Sequence, residues 1–245
     1  MNTLIVGASS GIGRECAHIF AQRGHSIICS ARDEEELNRL VADLNVRYDC
    51  KALAAPIDLT ELSLIGPFIE NIFQLINTLD CVVITSATMP SDEEAFFDED
   101  ALLNTTMTNY IGVAAVLNEV SRRMMEANEG TIVCLSSIAA ARGRQSNFIY
   151  SASKSALNTY LQGLRMKAHK HNVHVVTVLP GYVDTLMAYG RVKAALSVSP
   201  TYFARKVYSV TMRRKRNIVY VPAIWWLVAQ VLKCIPESIY KKLDI

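Results

Sequence analysis

Seven short apolar runs punctuate the chain, at residues 3–6, 26–30, 52–54, 81–84, 131–135, 173–179 and 218–221. Between most of them lie longer stretches of helical pattern, at about 13–23, 34–44, 62–77, 99–127, 147–171 and 200–212. Strands that alternate with helices build βαβ units, and such units assemble into a parallel sheet. Runs such as VHVVTVLP are apolar at successive positions, so both faces of the strand must be covered by helices. No internal repeat, low-complexity segment or linker interrupts the pattern. The predicted fold class is α/β, a single doubly wound parallel sheet with helices on both faces. It occupies residues 1–222, and residues 223–245 form an amphipathic helical tail that is not an independent domain.

The composition suits that fold. Of 245 residues, 51% are hydrophobic and 20% charged, which provides a core and argues against disorder. A net charge of +2 is too balanced for a nucleic-acid partner. Six cysteines, at 16, 29, 50, 81, 134 and 234, show neither CxxC nor metal-ligand spacing, and most sit inside apolar runs. They read as reduced, buried thiols. The first run begins at residue 3, with no secretory leader before it, so a cytoplasmic protein is expected. His169, His171 and His174 cluster, but no carboxylate or cysteine joins them, so no metal site is expected.

The first run feeds straight into GASSGIG, Gly7 to Gly13, and then a helix. Gly7 allows the tight turn, Gly11 lets backbone approach a phosphate, and Gly13 lets helix and strand pack closely. The N–H groups and dipole of the new helix then face a pyrophosphate.

A second signal is YSASK, Tyr150 to Lys154, on a helical stretch. Residues four apart share one helix face. An ammonium beside a phenol favours the phenolate and draws its pKa toward working pH, so that the tyrosine exchanges a proton with an alcohol or carbonyl oxygen. Thirteen residues earlier, Ser137 follows the strand-like TIVCLSS. A hydroxyl at the carboxyl end of a strand sits at the crevice where such sheets bind ligands, in reach of a substrate carbonyl.

Together GASSGIG, Asn109, Ser137, YSASK and LPGYVDT resemble, in order and spacing, the short-chain dehydrogenase/reductase family, over about residues 3–221. The resemblance implies a Rossmann-type fold and hydride transfer between a nicotinamide cofactor and a ketone or secondary alcohol. By motif, Tyr150 is the proton donor or acceptor, Lys154 binds the nicotinamide ribose and tunes it, and Ser137 rather than Ser136 holds the substrate oxygen. Asn109, in TNYIGVAA, corresponds to a residue supporting a water-linked relay to the lysine; otherwise it is a helix amide bonded to solvent. The implied cofactor contacts are Gly7, Ser9, Ser10, Gly11, Ile12, Gly13, Arg32, Asp58, Leu59, Ala87, Tyr150, Lys154, Pro180, Gly181, Val183 and Thr185. Thr85, Ser86 and Ala87 stand where the family has Asn-Ala-Gly, which puts backbone geometry at Ala87 in question.

The second strand ends IICSARDEEEL. Ala31 occupies the place of the acid that binds ribose hydroxyls in NAD-dependent members, and Arg32 follows. A guanidinium fork suits a 2′-phosphate, so NADP(H) is expected over NAD(H), with Arg14 adding positive potential. In the alternative, Arg32 only pairs with Asp33 or the acids at 34–36.

After Pro222, apolar residues recur at Ile224, Trp225, Val228, Val231, Leu232 and Ile235, a helical spacing too short to span a membrane. With Lys233, Lys241, Lys242 and the basic run at 213–216, this reads either as an interfacial helix on the inner face of a membrane or as a tail packed on the core or across a dimer. The basic run, the VYVP strand and the aromatic tail also resemble reductases of the decaprenylphosphoryl-2-keto-pentose type. The expected substrate is thus a carbonyl compound, in one reading a lipid-linked or envelope keto-sugar and in another a small soluble ketone, steroid or acyl carbonyl. A non-catalytic NADP-binding regulator is the alternative of another class. The long helical stretches at 99–127 and 147–171 suggest a homodimer or homotetramer, and lid residues at about 186–199, among them Tyr189, Arg191 and Lys193, are expected to select the substrate.

Overall fold

The computed structural model describes residues 1–90, 96–185 and 197–243. Most of the expected lid, including Tyr189, Arg191 and Lys193, lies outside the described residues. Seven parallel strands form one sheet in the order β3-β2-β1-β4-β5-β6-β9. They are β1 (Asn2–Val6), β2 (Ser26–Ser30), β3 (Ala52–Ala54), β4 (Cys81–Ile84), β5 (Gly130–Leu135), β6 (Val173–Pro180) and β9 (Ile218–Val221). A two-stranded ladder, β7 (Tyr182–Val183) with β8 (Ser197–Val198), stands beside it. The strand order reverses between β1 and β4, the switch point at which doubly wound sheets open a crevice.

Alternation along each strand divides the core in two. Leu4, Val6, Val82, Ile84, Ile132 and Cys134 face one cluster, with Ile69 of α3 (Leu62–Leu75), Val116 of α5 (Gly112–Glu126) and Leu161 of α6 (Phe148–His169). Ile5, Cys81, Val83, Val133 and Leu135 face the other, with Phe20 of α1 (Gly11–Gln22), Leu37 of α2 (Glu34–Tyr48) and Phe203 of α7 (Pro200–Arg213). Successive side chains of a strand point to opposite faces, so helices on both sides require runs that are apolar throughout.

The stretch read as one helix at 99–127 has an internal change of pitch. Here α4 (Glu99–Thr106) passes through a π-helical turn, Met107–Ile111, into α5. Gly112 lies where a Cβ would be 2.0 Å from the Leu59 carbonyl oxygen, so this helix approaches the segment after β3 too closely for any side chain. Cys16, Cys29, Cys81 and Cys134 are buried free thiols, whereas Cys234 is exposed. Burial pushes the Cys29 and Cys134 thiols up to about 12, so they stay protonated and inert.

The tail turns back onto the sheet as α8 (Ile224–Cys234) and α9 (Glu237–Tyr240). No described helix is long and apolar enough to cross a membrane.

Candidate active site

The glycine motif behaves as its residue types require. Gly7 has φ +92°, and the N–H groups of Gly7 and Ala8 both donate to Ser30 O, at 2.7 and 3.0 Å, folding the turn against β2. A Cβ on Gly13 would lie 1.9 Å from Gly7 O, so α1 seats directly on the turn. At Gly11, with φ +51°, a Cβ would meet only the Thr185 side chain, from 3.5 Å, which leaves this backbone bare toward the crevice. Thr85 stands in the sequence where the family has asparagine, and its hydroxyl donates to Val6 O at 3.0 Å and Gly7 O at 3.1 Å, tying β4 to the turn. Ala87 is not among the residues with positive φ, so an alanine needs no strained backbone there.

The crevice has a volume of about 1220 Å³. All of the residues expected to contact a cofactor line it: Gly7, Ser9, Ser10, Gly11, Ile12 and Gly13 at the turn, Arg32, Asp58 and Leu59 at one end, and Ala87, Tyr150, Lys154, Pro180, Gly181, Val183 and Thr185 toward the other. Ser137 lines it as well. The Ser137 hydroxyl accepts from Ala139 N at 3.1 Å and starts the 3-10 turn Ile138–Ala141. Ser136 is turned to the backbone of α6, donating to Lys154 O at 3.3 Å.

Asn109 does not line the crevice. It is fully buried in the π-helical turn, where its Oδ1 accepts from Thr88 N at 2.7 Å and its Nδ2 donates to Thr88 O at 2.8 Å and Ser153 Oγ at 3.2 Å. The side chain is a brace between the segment after β4 and α6, and the solvent-bonded alternative is excluded.

The electrostatics at Tyr150 run opposite to the sequence argument. Burial raises the phenol above its ordinary value, and hydrogen bonding with Ser137 works against that shift. The Lys154 ammonium stands 6.0 Å from the Tyr150 ring centroid and donates to Leu135 O at 3.3 Å, so it does not depress the phenol here. Lys154 is itself lowered to about 8 by burial. A low-dielectric site disfavours the charged form of both groups, and that effect wins where they do not touch.

At the other end, Arg32 pairs with none of the expected acids. It lies 3.9 Å from Asp58 and is largely exposed. Asp33 instead caps α2, accepting from Glu36 N at 3.0 Å. The Asp58 carboxylate accepts from Thr60 N at 2.9 Å and Thr60 Oγ1 at 2.8 Å. Arg14 pairs with Glu36 and donates to Ser9 O, so its positive potential is largely neutralised while it props up the glycine turn.

Sequence reading missed the wall behind the other end. Trp225 of α8 lies against Gly181, where a Cβ would be 2.0 Å from the indole Nε1, and it meets the Tyr182 ring edge-on at 5.1 Å. Trp225 and Ala229 share a small core with Ile138, Ala141, Tyr182 and Tyr220. Arg142 donates to the carbonyls of Leu232 and Ile235, pairs with Glu237 at 2.6 Å and lies 3.8 Å above the Tyr240 ring. Tyr240 donates in turn to Gly143 O at 2.7 Å. The tail thus grips both segments that border Ser137 and Gly181. Helical spacing signals an apolar face, but not which segment that face meets.

A parallel sheet in this order, a glycine turn at its switch point and a serine, tyrosine and lysine on one crevice define an oxidoreductase of the Rossmann type. A family model for the short chain dehydrogenases matches residues 1–195, and the chain belongs to that family. Among curated relatives, a dehydrogenase/reductase SDR family protein 7-like of Drosophila melanogaster is 28% identical over 252 residues, covering 97% of this chain and 77% of that protein. An uncharacterized oxidoreductase of Mycobacterium tuberculosis is 24% identical over 240 residues, covering 98% and 96%. Of solved structures, an actinorhodin polyketide ketoreductase with NADPH superposes with a TM-score of 0.81 at 22% identity, over 90% of this chain and 95% of that one. The L-sorbose reductase from Gluconobacter frateurii, complexed with NADPH and L-sorbose, gives 0.81 at 18% identity, over 89% and 93%. At these identities the structural likeness speaks for the fold.

Proposed function

We propose that the chain reduces a ketone to a secondary alcohol with NADPH, or runs the reverse with NADP. The observation that carries this reading is one crevice shared by a bare glycine turn, Ser137, Tyr150 and Lys154. Its residues fit a dinucleotide. Side chains at Gly7 or Gly13 would break the turn against β4 and α1, Gly11 leaves its backbone bare toward the crevice, and Arg32 stands at the end where an adenosine 2′-phosphate would lie. The NADPH in the solved relatives favours the same cofactor.

Bound there, the nicotinamide supplies or accepts the hydride, and this chain's residues manage the proton. Ser137 holds the carbonyl oxygen, and the Tyr150 phenol donates to it as negative charge develops. The raised pKa keeps the phenol protonated through neutral pH, which suits the reducing direction. Lys154 holds the ribose, and Asn109, as a positioning residue, keeps α6 in place. Turnover of NADPH with a panel of ketones tests this. Tyr150→Phe, which removes one hydroxyl, is expected to lower kcat at least about a hundredfold, in the range of lost general acid catalysis. A variant retaining more than about a tenth of the rate would falsify the assignment, and NADPH binding without any turnover would favour the regulatory alternative.

The tail supports peripheral contact with a membrane and, with it, a lipid-linked substrate. Ile224, Trp226, Leu227 and Val231 of α8 are exposed, as are Lys233, Lys241, Lys242 and the basic residues at 213–216. An apolar face followed by Lys233, Lys241 and Lys242 on the same tail suits an anionic bilayer on the cytoplasmic side. The basic run, by contrast, lies toward the opposite end of the sheet, where Arg214 donates to the Asn172 carbonyl ahead of β6. The chain is also read as a homodimer built on the stretch from α4 through α5 and on α6.

A further inference from the structure

We propose that Arg144 is the binding site for an oxyanion carried by the substrate, a carboxylate or a phosphate ester, so that the natural substrate is an anionic carbonyl compound. The inference rests on the carbonyl-reducing reading above and names the chemistry that its substrate adds to the carbonyl.

Arg144 lines the crevice together with Ser146, Asn147, Ser137 and Tyr150. Its Nε is buried and has no hydrogen-bond partner. Among the described residues two arginines show such an Nε, and they differ. Arg123 uses the rest of its guanidinium on Glu70, at 2.6 Å, and on the Phe73 ring, at 4.9 Å. Arg144 makes no ion pair or hydrogen bond through its side chain to any described residue. The other cations lining the crevice are engaged, Arg32 with Asp58 at 3.9 Å and Lys154 with Leu135 O at 3.3 Å. Arg144 as a whole is partly exposed, but an N–H held away from water without an acceptor is costly, and a ligand that brings two coplanar oxygens, one to Nε and one to the accessible end of the fork, removes the cost.

The loop that bears Arg144 is fixed on both sides. Before it, the tail grips Arg142 and Gly143. After it, Asn147 N donates to Arg144 O at 3.3 Å, and the Asn147 side chain accepts from Ser151 Oγ at 2.8 Å. A cation on a braced backbone loses less freedom on binding than one on a loose loop. Nor is it placed for the cofactor's 2′-phosphate. Arg32 follows β2, whereas the Arg144 loop belongs to the connection after β5, and β1 and β4 lie between. Three strand spacings amount to about 14 Å.

The test is titration calorimetry and steady-state kinetics on the full chain saturated with NADPH. The probes are dihydroxyacetone phosphate, pyruvate and neutral dihydroxyacetone, with dihexanoylphosphatidic acid as a lipid headgroup. The wild type is expected to bind at least one of the anionic probes about tenfold or more tightly than the neutral ketone. Arg144→Met is expected to erase that difference and Arg144→Lys to restore part of it, since a lysine keeps the charge and loses the fork. Preference for phosphate over carboxylate, or for the lipid over the free ester, identifies the source of the oxyanion. Equal binding of anionic and neutral probes by the wild type overturns the proposal, as does an anion preference that survives in a folded Arg144→Met variant. If anions bind through Arg144 but no ketone turns over with any probe or in the wider panel, the oxyanion site stands and the reductase reading falls. If ketones turn over without regard to charge, the reverse holds.

Discussion

At the residue scale, Lys154 shows what the site demands of the fold. An ammonium buried on every side is disfavoured, and its pKa falls to about 8 from the usual lysine value. Below about pH 8 the group is charged in both folded and unfolded chains, and the folded state bears the full penalty. Between that pH and the unfolded lysine value the unfolded chain binds more protons, so this group's contribution to stability improves as pH rises. Lys154→Met is therefore expected to stabilise the protein at pH 7, by roughly 1–3 kcal/mol, while abolishing turnover. Chemical denaturation at pH 7 and pH 10 measures both the gain and its shrinkage at the higher pH; a destabilised variant would show that the ammonium is better satisfied than its burial implies. Arg32→Ala is expected to weaken NADPH about tenfold while barely changing NADH, because a charge-assisted contact to one phosphate is lost from an exposed position. Fluorescence titration with both cofactors checks this, and equal losses would return Arg32 to a purely structural pairing with Asp58.

At the scale of elements, the tail packs one face of α8 on the core and leaves the other exposed. Trp225 is 8% exposed and packs on Gly181, while its neighbour Trp226 is 55% exposed. Successive helical residues diverge by about 100°, so adjacent tryptophans cannot share one face. The apolar positions expected together are divided accordingly, with Val228 packed against the small core beside Trp225 while Ile224 and Val231 face outward. Trp225→Ala is expected to destabilise the chain by about 3 kcal/mol, as large-to-small changes in a core do. It should also weaken NADPH binding, because the segments holding Ser137 and Gly181 lose their support. Trp226→Ala is expected to leave the melting temperature within about 2 °C, consistent with a surface change of at most about 0.5 kcal/mol, but to reduce cosedimentation with phosphatidylglycerol vesicles at low salt. Thermal melts and vesicle pelleting of the two variants side by side decide the matter. Vesicle binding unchanged in the Trp226 variant would leave α8 as a brace alone.

For the whole molecule, the doubly wound order brings the proposed site residues other than Asn109 to the carboxyl ends of the strands, since the connections after β1, β2, β3, β4, β5 and β6 all open there. The same order leaves the outer flanks of the helices to other partners. Met166 of α6 is 78% exposed and Leu103 of α4 59%, and Leu102 and Phe148 are exposed too. Covering such side chains is what a second copy packed along these helices would do. Light scattering at micromolar concentration is expected to give twice the chain mass; a monomer with full activity would remove the dimer from the account.

The strand–helix alternation, the turn at Gly7 and Gly11, the close approach at Gly13 and the shared helix face of Tyr150 and Lys154 were all legible in the sequence, because each is set by local geometry: a periodicity, a backbone angle, a contact within one turn, a four-residue helical step. The direction of the Tyr150 pKa shift was not legible, since it depends on whether Lys154 touches the phenol or Leu135 O, a carbonyl 19 residues back along the chain. That Trp225 and Trp226 cannot share a face follows from the helical step, but which of them packs was not legible, nor was the brace the tail gives through Arg142 across 90 residues or more of sequence. Burial and partnership are properties of surfaces that meet only when the chain is folded, and they decided which cations are satisfied and which, like Arg144, face the crevice with nothing to hold.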